Sequence, residues 1–162
     1  MKLSEEVKER IISILDSKEF MADLYEGLDK KKRDKLGMVY TPAKVCIQLI
    51  EMFECDTLAG RNILDPACGS GNLLIACLIA GADSDKLYGN ELDPIAVSLC
   101  RRRLDRACRL LNKPSIRSWQ IHEGDATEPR CLSEFSPNYQ YKTYEPGDLF
   151  SLFFLKGDFI NA

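Results

Sequence analysis

The amino-acid sequence predicts an α/β protein with a parallel, doubly wound sheet and a helical extension before its first strand. Three short apolar segments have the length and composition of strands, and the two segments between them repeat apolar residues at helical spacing. Strands that alternate with helices imply a parallel sheet with right-handed crossovers. The predicted strands are 62–64, 86–91 and 118–125, and the predicted helices between them are 71–80 and 95–111.

Two helices are predicted before the first strand. Apolar residues at helical spacing predict one helix over residues 3–20, with Ser4 as its N-cap. Pro42 suits the first turn of a second helix, with Thr41 as its cap. We expect this second helix to bury an apolar face that contains Val45, Leu49, Ile50 and Phe53.

Composition sets the class of protein and its surroundings. The 162 residues suffice for one domain with a sizeable core, and 45% apolar with 29% charged residues is typical of a soluble globular protein. No apolar run approaches the roughly 18 residues of a membrane span. The N-terminus is too acidic for a secretory signal. We therefore expect a cytoplasmic protein without membrane contact.

Charge and cysteine usage exclude several kinds of site. A net charge of −3 does not indicate a protein that binds nucleic acid over its whole surface. The basic clusters at 29–35 and 100–109 are either solvated faces or phosphate contacts. No metal is expected, because the cysteines lack the paired spacing of a zinc site or disulfide framework, and we expect them to be reduced and mostly buried. They are Cys46, Cys55, Cys68, Cys77, Cys100, Cys108 and Cys131.

A glycine-containing loop follows the first predicted strand, in the segment NILDPACGSGNLLIA at residues 62–76. Ligands of open α/β sheets bind outside the carboxyl ends of the strands, so Asp65, Pro66 and residues 69–71 line a candidate site. The loop lacks the Gly-Lys-Ser/Thr of a phosphate-binding P-loop. Leu74 replaces the third glycine of a dinucleotide fingerprint, and the Asp65 carboxylate would repel a pyrophosphate.

Three successive predicted strands end in an acidic residue: Asp65, Glu91 and Asp125. Such an acid often only caps a turn. Glu91, however, follows Gly71 by 20 residues, where an acid can hydrogen-bond ribose hydroxyls, and Asp125 or its neighbours can accept from an exocyclic amino group. S-adenosylmethionine suits this set, because it has an ammonium, a sulfonium, a ribose and an adenine but no phosphate.

Four segments occur in the order of the motifs of a known family. They are GMVYTP at 37–42, ILDPACGSGNLL at 63–74, LYGNELDP at 87–94 and HEGDA at 122–126. Together they resemble class I methyltransferases that act on adenine N6 in DNA, and most closely the modification subunits of type I restriction systems. The resemblance covers roughly residues 30–126 and implies a Rossmann-like class I methyltransferase sheet, present in part, with S-adenosylmethionine as the cofactor.

The resemblance implies which residues contact each part of the cofactor. Thr41, Asp65 and the backbone of residues 69–71 would hold the methionine part, and Glu91 would hold the ribose. Leu92 would flank the adenine together with Asp125. The cofactor-binding set that it implies is Tyr40, Thr41, Asp65, Pro66, Ala67, Gly69, Ser70, Gly71, Asn72, Glu91, Leu92, Asp125 and Ala126.

The resemblance also divides the chain, which we expect to form one domain over 1–162. Residues 1–36 would be a helical extension, 37–126 the cofactor-binding core, and 127–162 an irregular part with a C-terminal strand. In that last part, DLFSLFFL at 148–155 predicts a buried strand or a short helix.

The catalytic motif of this family, Asn/Asp/Ser-Pro-Pro-aromatic after the fourth strand, is missing from the sequence. No Pro-Pro occurs, and the nearest string is SPNY, so Ser136 and Tyr139 are either a remnant of the motif or part of a simple turn. The segment GDFINA at 157–162 resembles the strand that leads into the motif. In the family, the motif accepts hydrogen bonds from the amino group of a flipped adenine.

Three functions therefore compete. The first is a DNA adenine methyltransferase that acts alone or with a partner chain, which could be a second methyltransferase subunit or a specificity subunit. The second is a non-catalytic cofactor-binding or decoy protein derived from such an enzyme. The third is an NAD-binding module, which Leu74 and Asp65 disfavour. A partner could dock on the aromatic stretch that contains Phe150, Phe153 and Phe154.

Overall fold

The computed structural model describes residues 1–25 and 40–126, together with the backbone of a strand at 159–161. Several sequence predictions lie outside these residues. They concern the basic cluster at 29–35, Cys131, Ser136, Tyr139 and the segment 148–155.

Helices and parallel strands alternate along the described chain. The helices are α1 (Glu5–Leu15), α2 (Lys18–Tyr25), α3 (Ala43–Met52), α4 (Asn72–Ile79) and α5 (Pro94–Leu110). The strands are β1 (Asn62–Asp65), β2 (Leu87–Glu91), β3 (Ile121–Glu123) and β4 (Phe159–Asn161).

The four strands form one parallel sheet in the order β3-β2-β1-β4. Ile63 of β1 lies beside Leu87 of β2 on one side and Ile160 of β4 on the other. Because β2 and β3 extend the sheet in one direction and β4 in the other, the strand order reverses at β1. Ligands of open α/β sheets bind at such a reversal, outside the carboxyl ends of the strands. The α/β prediction is confirmed. Strand β4 lies within 157–162, the segment that resembles the strand leading into the family's catalytic motif.

Within the described residues 1–25 the chain forms two helices, so the prediction of one helix over 3–20 is wrong. Ser17 makes the break: its Oγ donates to the Ile14 carbonyl oxygen (2.8 Å) and accepts from the Phe20 amide (3.3 Å). One side chain thereby ends α1 and begins α2. The predicted cap of α1 is confirmed, since Ser4 Oγ accepts from the Val7 amide at 3.3 Å.

Helix α3 begins at Ala43, one residue after the start that Thr41 as the N-cap would give. Pro42 occupies the N-cap position and no side chain caps the helix, so the role predicted for Thr41 is wrong. The predicted buried face is wrong for Val45, which is 39% exposed, whereas Leu49 and Phe53 are partly buried against the core. Ile50 is buried as predicted, and the buried face as a whole consists of Ala43, Cys46, Ile47 and Ile50.

The core forms around α4, whose eight residues are all buried. Helix α5 is amphipathic and begins at a capped turn, where Asp93 Oδ1 accepts from the Ile95 amide at 3.1 Å and Pro94 occupies the first turn. Apolar residues recur every three to four positions in the predicted helix 95–111, and of these Val97, Cys100, Leu104 and Cys108 are buried.

Strand β3 is shorter than the predicted 118–125, because residues 118–120 form a 3₁₀ turn. Gln120 holds this turn against the sheet: its buried Nε2 donates to the carbonyl oxygens of Ser84 (2.8 Å) and Leu87 (2.7 Å). Asp125 therefore does not end a strand, since β3 stops at Glu123.

Among the described residues, no helix is long and apolar enough to cross a membrane.

Candidate cofactor-binding site

The loop between β1 and α4, residues 66–71, is attached to the end of β2. The Cys68 amide donates to the Asn90 carbonyl oxygen at 2.9 Å, and the Gly69 amide donates to Glu91 Oε2 at 2.9 Å. The Gly71 amide then closes the loop onto the Cys68 carbonyl oxygen at 2.8 Å. The second strand thus holds the loop in place, and the predicted ribose acid is part of that support.

Two backbone positions of this loop require glycine. Gly69 and Gly71 have φ angles of +52° and +85°, which side chains other than hydrogen rarely allow. A Cβ on Gly71 would also lie 2.7 Å from Cys100 Sγ, so the loop approaches α5 too closely for any side chain. Gly69 faces the ring of Tyr40, whose Cδ1 would be 3.7 Å from an added Cβ. The segment that precedes α3 therefore lies against the loop.

Asp65 is a buried carboxyl group at the entrance to the loop. It is 8% exposed, and its Oδ1 accepts from the Ala67 amide at 3.1 Å. Burial raises the pKa of Asp65 to about 7, the Ala67 hydrogen bond opposes that rise, and the nearby Glu91 charge adds to it. A cation bound beside Asp65 would favour its ionised form, so this position suits a positively charged ligand group.

Glu91 is half-buried at the end of β2 and uses both carboxylate oxygens within the protein. Oε2 accepts from Gly69 as described above, and Oε1 accepts from the Asp93 amide at 3.0 Å. Because each carboxylate oxygen has a second lone pair, Glu91 can also accept from the two hydroxyls of a ribose. These two bonds fix the orientation of the carboxylate, and its role toward a ribose stays a prediction.

Asn72 joins the first helical turn of α4 to the segment before α3. Its Nδ2 donates to the Thr41 carbonyl oxygen at 2.7 Å, and the side chain is 7% exposed. Asn72 Oδ1 is buried without a hydrogen-bond partner among the described residues. Tyr40, Thr41 and Asn72 are thereby brought beside the glycine loop.

The predicted adenine side is open. Leu92 follows β2 and is 62% exposed, and Asp125 follows β3 and is also exposed. Ala126 is half-buried beside it. The Gly124 amide donates to the Glu91 carbonyl oxygen at 3.0 Å, which holds the start of this segment against β2. These side chains lie at the same edge of the sheet as the loop, where an aromatic ring could contact them.

Asn90 organises this edge and was not identified from the sequence. Its Nδ2 donates to the carbonyl oxygens of Gly124 (2.8 Å) and Pro66 (3.4 Å), and its Oδ1 lies 3.1 Å from His122 Nδ1. One buried amide thus joins the ends of β1, β2 and β3. The sign in the sequence that could have identified Asn90 is a polar residue inside a predicted strand.

Arg103 is the second residue that sequence reasoning missed. The guanidinium is fully buried and donates to Ser70, which lies between the two glycines of the loop. The interpretation of cluster 100–109 as a solvated or phosphate-contacting face is therefore wrong for this residue. The signal was its position on the buried stripe of α5, one residue before Leu104.

The cysteine prediction is confirmed for burial among the described residues. Five of the six are buried, and Cys55 is half-buried. Burial raises the pKa of the Cys46 thiol to about 12, and that of Cys77 also lies well above its ordinary value, so both are protonated at neutral pH. No group of three metal-ligating side chains occurs within the described parts of the chain.

The residues present fit S-adenosylmethionine. A buried carboxyl group suits its ammonium, a fixed carboxylate suits its ribose, and the backbone of a glycine loop contacts both acids. The parallel sheet and this loop define a Rossmann-like methyltransferase fold, present in part.

Comparison with known proteins agrees with this class. The family model described as N-6 DNA Methylase matches residues 16–119, which is more than half of the chain. The chain therefore belongs to the N-6 DNA methylase family. Type II methyltransferase M.VspI of Vibrio sp. (strain 343) is 30% identical over 109 residues, covering 63% of this chain and 26% of the relative.

Two further relatives match shorter segments. The Type I restriction enzyme MjaIX methylase subunit of Methanocaldococcus jannaschii is 32% identical over 74 residues, covering 42% of this chain and 13% of the relative. Ribosomal protein L11 methyltransferase of Pseudomonas paraeruginosa is 40% identical over 57 residues, covering 35% and 19%. The chain thus spans about a quarter or less of the length of these relatives. No solved structure matches it.

Proposed function

We propose that this chain binds S-adenosylmethionine at the carboxyl ends of β1, β2 and β3 and serves in methyl transfer to adenine N6 in DNA. The observation that carries the proposal is the pair of acids at the ends of β1 and β2, Asp65 and Glu91, on either side of a glycine loop. The family match and the DNA methyltransferase relatives support adenine in DNA as the target.

Each site residue has a separate task in this proposal. Asp65 attracts the ammonium of the methionine part of the cofactor, and the loop amides and carbonyls fix its position. Glu91 holds the ribose, and Leu92 with Asp125 lies beside the adenine. When bound, the cofactor would supply a methyl group on a sulfonium for transfer to the adenine nitrogen.

Groups that this sequence does not contain would complete the base side. The amino nitrogen of adenine is a poor nucleophile, because its lone pair is delocalised into the ring. It needs hydrogen-bond acceptors fixed in line with the methyl group. The Asn/Asp/Ser-Pro-Pro-aromatic motif that supplies them in the family is absent, so a further segment or a partner chain beside β4 would take this task.

DNA and a second subunit are the proposed partners. The type I relative is named as a methylase subunit, which supports assembly with a specificity subunit or with a second methyltransferase chain. A DNA substrate would also place this chain with the DNA of its cell, in agreement with the cytoplasmic location expected from the sequence.

The missing motif favours one alternative, a cofactor-binding protein without catalytic activity. An assay of labelled methyl transfer to DNA distinguishes the two proposals. We expect little transfer by the purified chain alone and transfer when a chain that contains the motif is added. Transfer by the chain alone that Ser136→Ala or Tyr139→Ala abolishes would show that SPNY replaces the motif. Cofactor binding without transfer in any mixture would favour the non-catalytic alternative.

A further inference from the structure

We propose that Arg103 is a positioning residue for the cofactor loop and that it links the N-terminal helices to cofactor affinity. This inference rests on the proposed function, because the ligand of the loop is the cofactor named there. The link has three members in contact, namely Phe20 on α2, Arg103 on α5 and Ser70 in the loop.

Arg103 bonds to the part of the loop that lies between its two glycines. Nη1 donates to the Ser70 carbonyl oxygen at 2.6 Å and to Ser70 Oγ at 2.9 Å. Arg103 is 0% exposed and Ser70 is 1% exposed, so water does not compete for these bonds. Charge-assisted hydrogen bonds to a fully buried carbonyl are among the stronger ones in proteins. They fix the peptide that joins Ser70 to Gly71.

The position of that peptide matters for the cofactor, because the loop would hold the methionine part through its backbone. Glycines at positive φ leave the loop with few side-chain constraints of its own. The bonds from Arg103 on α5 constrain the loop at Ser70, and the bond from the Gly69 amide to Glu91 constrains it from β2. A loop held at both points is preorganised for its ligand.

Phe20 positions the guanidinium in turn. The Arg103 Cζ atom lies 5.7 Å from the centroid of the Phe20 ring, and Phe20 is 2% exposed. A planar guanidinium can stack on a ring and donate at its edge at the same time, whereas a lysine ammonium cannot. Helix α2 thereby acts on the loop through a single side chain.

Helix α5 also offers a matched control. Arg106 lies over the same ring, with its Cζ 5.9 Å from the centroid, and donates to the Glu19 carbonyl oxygen of α2 at 3.3 Å. Arg106→Met and Arg103→Met thus remove the same charge from the same helix and the same ring. Of the two, only Arg103→Met removes the bond to Ser70, whereas Arg106→Met removes the contacts of a part-exposed side chain with Glu19.

The first test measures affinity for S-adenosylhomocysteine by calorimetry, with the folded fraction of each variant checked by urea titration. We expect Arg103→Met to weaken binding about tenfold and Arg106→Met to leave it within about twofold. Ser70→Ala should weaken binding slightly, since the carbonyl bond remains. It should have no further effect once Arg103 is Met, because the partner of its hydroxyl is gone.

The second test needs no ligand. Hydrogen exchange at the amides of residues 69–71 should be faster in Arg103→Met than in the unsubstituted chain and unchanged in Arg106→Met. If Arg103→Met does not fold, Arg103→Lys and Phe20→Leu take its place, and both should show the faster exchange and the weaker binding.

The outcomes separate the two proposals. If the unsubstituted chain binds no S-adenosylhomocysteine, the proposed function fails, while the exchange experiment still reports on the loop. If the chain binds but Arg103→Met binds equally well and exchanges at the same rate, this inference is overturned. Equal losses in Arg103→Met and Arg106→Met would also overturn it, since they would indicate a general effect of charge on α5.

Discussion

The candidate site has two sides that the chain builds to different degrees. The loop side consists of Asp65 and residues 66–71, and the rim consists of Leu92 and Asp125. On the loop side the carboxyl group is 8% exposed and the loop amides bond to β2. On the rim, Leu92 is 62% exposed. The loop side is therefore held in place by the protein itself, whereas the Leu92 side chain that is expected to contact adenine is mostly exposed.

This difference predicts that substitutions on the loop side cost much more than substitutions on the rim. The largest effect should come from Gly71→Ala, because the new Cβ would lie 2.7 Å from Cys100 Sγ at a φ of +85°. We expect the free energy of unfolding to fall by about 3 kcal/mol, from backbone strain and overpacking together. Urea denaturation measures this loss.

Gly60→Ala is the control for that substitution. Gly60 has a φ of +77° and open space where a Cβ would be, so only backbone strain remains. We expect a loss of about 1 kcal/mol. Equal losses in the two variants would show that the approach of the loop to α5 is not tight.

The next effect should be on affinity, through the charge of Asp65. Asp65→Ala should weaken binding of S-adenosylmethionine about 100-fold, because it removes a buried carboxylate from beside a cation. Asp65→Asn keeps an acceptor for the Ala67 amide but not the charge, and it should lose nearly as much. If Asp65→Asn binds as the unsubstituted chain does, the carboxyl group serves only to shape the turn.

A smaller effect should follow from pH. Burial raises the pKa of Asp65 to about 7, so this carboxyl is mostly protonated at pH 6 and mostly ionised at pH 8. A cationic ligand requires the ionised form. Affinity should therefore rise about tenfold between these values and level off above them. Calorimetry across this range measures the rise, and Asp65→Asn should remove it.

The rim should respond least. Leu92→Ala should weaken binding of S-adenosylhomocysteine about threefold, since only part of this side chain can lie against the ligand. Leu110→Ala is a matched control, because Leu110 is also exposed (54%) and lies at the far end of α5. A loss at Leu92 as large as that at Asp65 would abolish the distinction between the two sides.

The same two sides differ in how well the sequence predicted them. The glycine loop and the acids that end β1 and β2 follow from local pattern, because a strand, a turn and a helix are each encoded by neighbouring residues. Asp125 was placed at the end of β3, and the structure places it two residues beyond. Gln120 holds residues 118–120 in a 3₁₀ turn through hydrogen bonds to Ser84 and Leu87, so the strand is shorter than predicted. These contacts are distant in sequence, and no local pattern reveals them.

The supports of the loop were harder still to predict. Arg103 has the sequence neighbours of a solvated basic face, yet it is fully buried against Ser70 and Phe20. Asn90 joins three strand ends that are far apart in the chain. Both depend on tertiary contacts, and the hydrophobic stripe of α5 was the only local sign of the first.

Calorimetric titration of the purified chain at pH 8 with S-adenosylhomocysteine, and separately with NADH, tests the central claim most directly. The account predicts saturable binding of S-adenosylhomocysteine at one site, strongly weakened in Asp65→Ala and in Glu91→Gln, and no binding of NADH. Binding of NADH without binding of S-adenosylhomocysteine would contradict it, and so would S-adenosylhomocysteine binding that neither substitution changes.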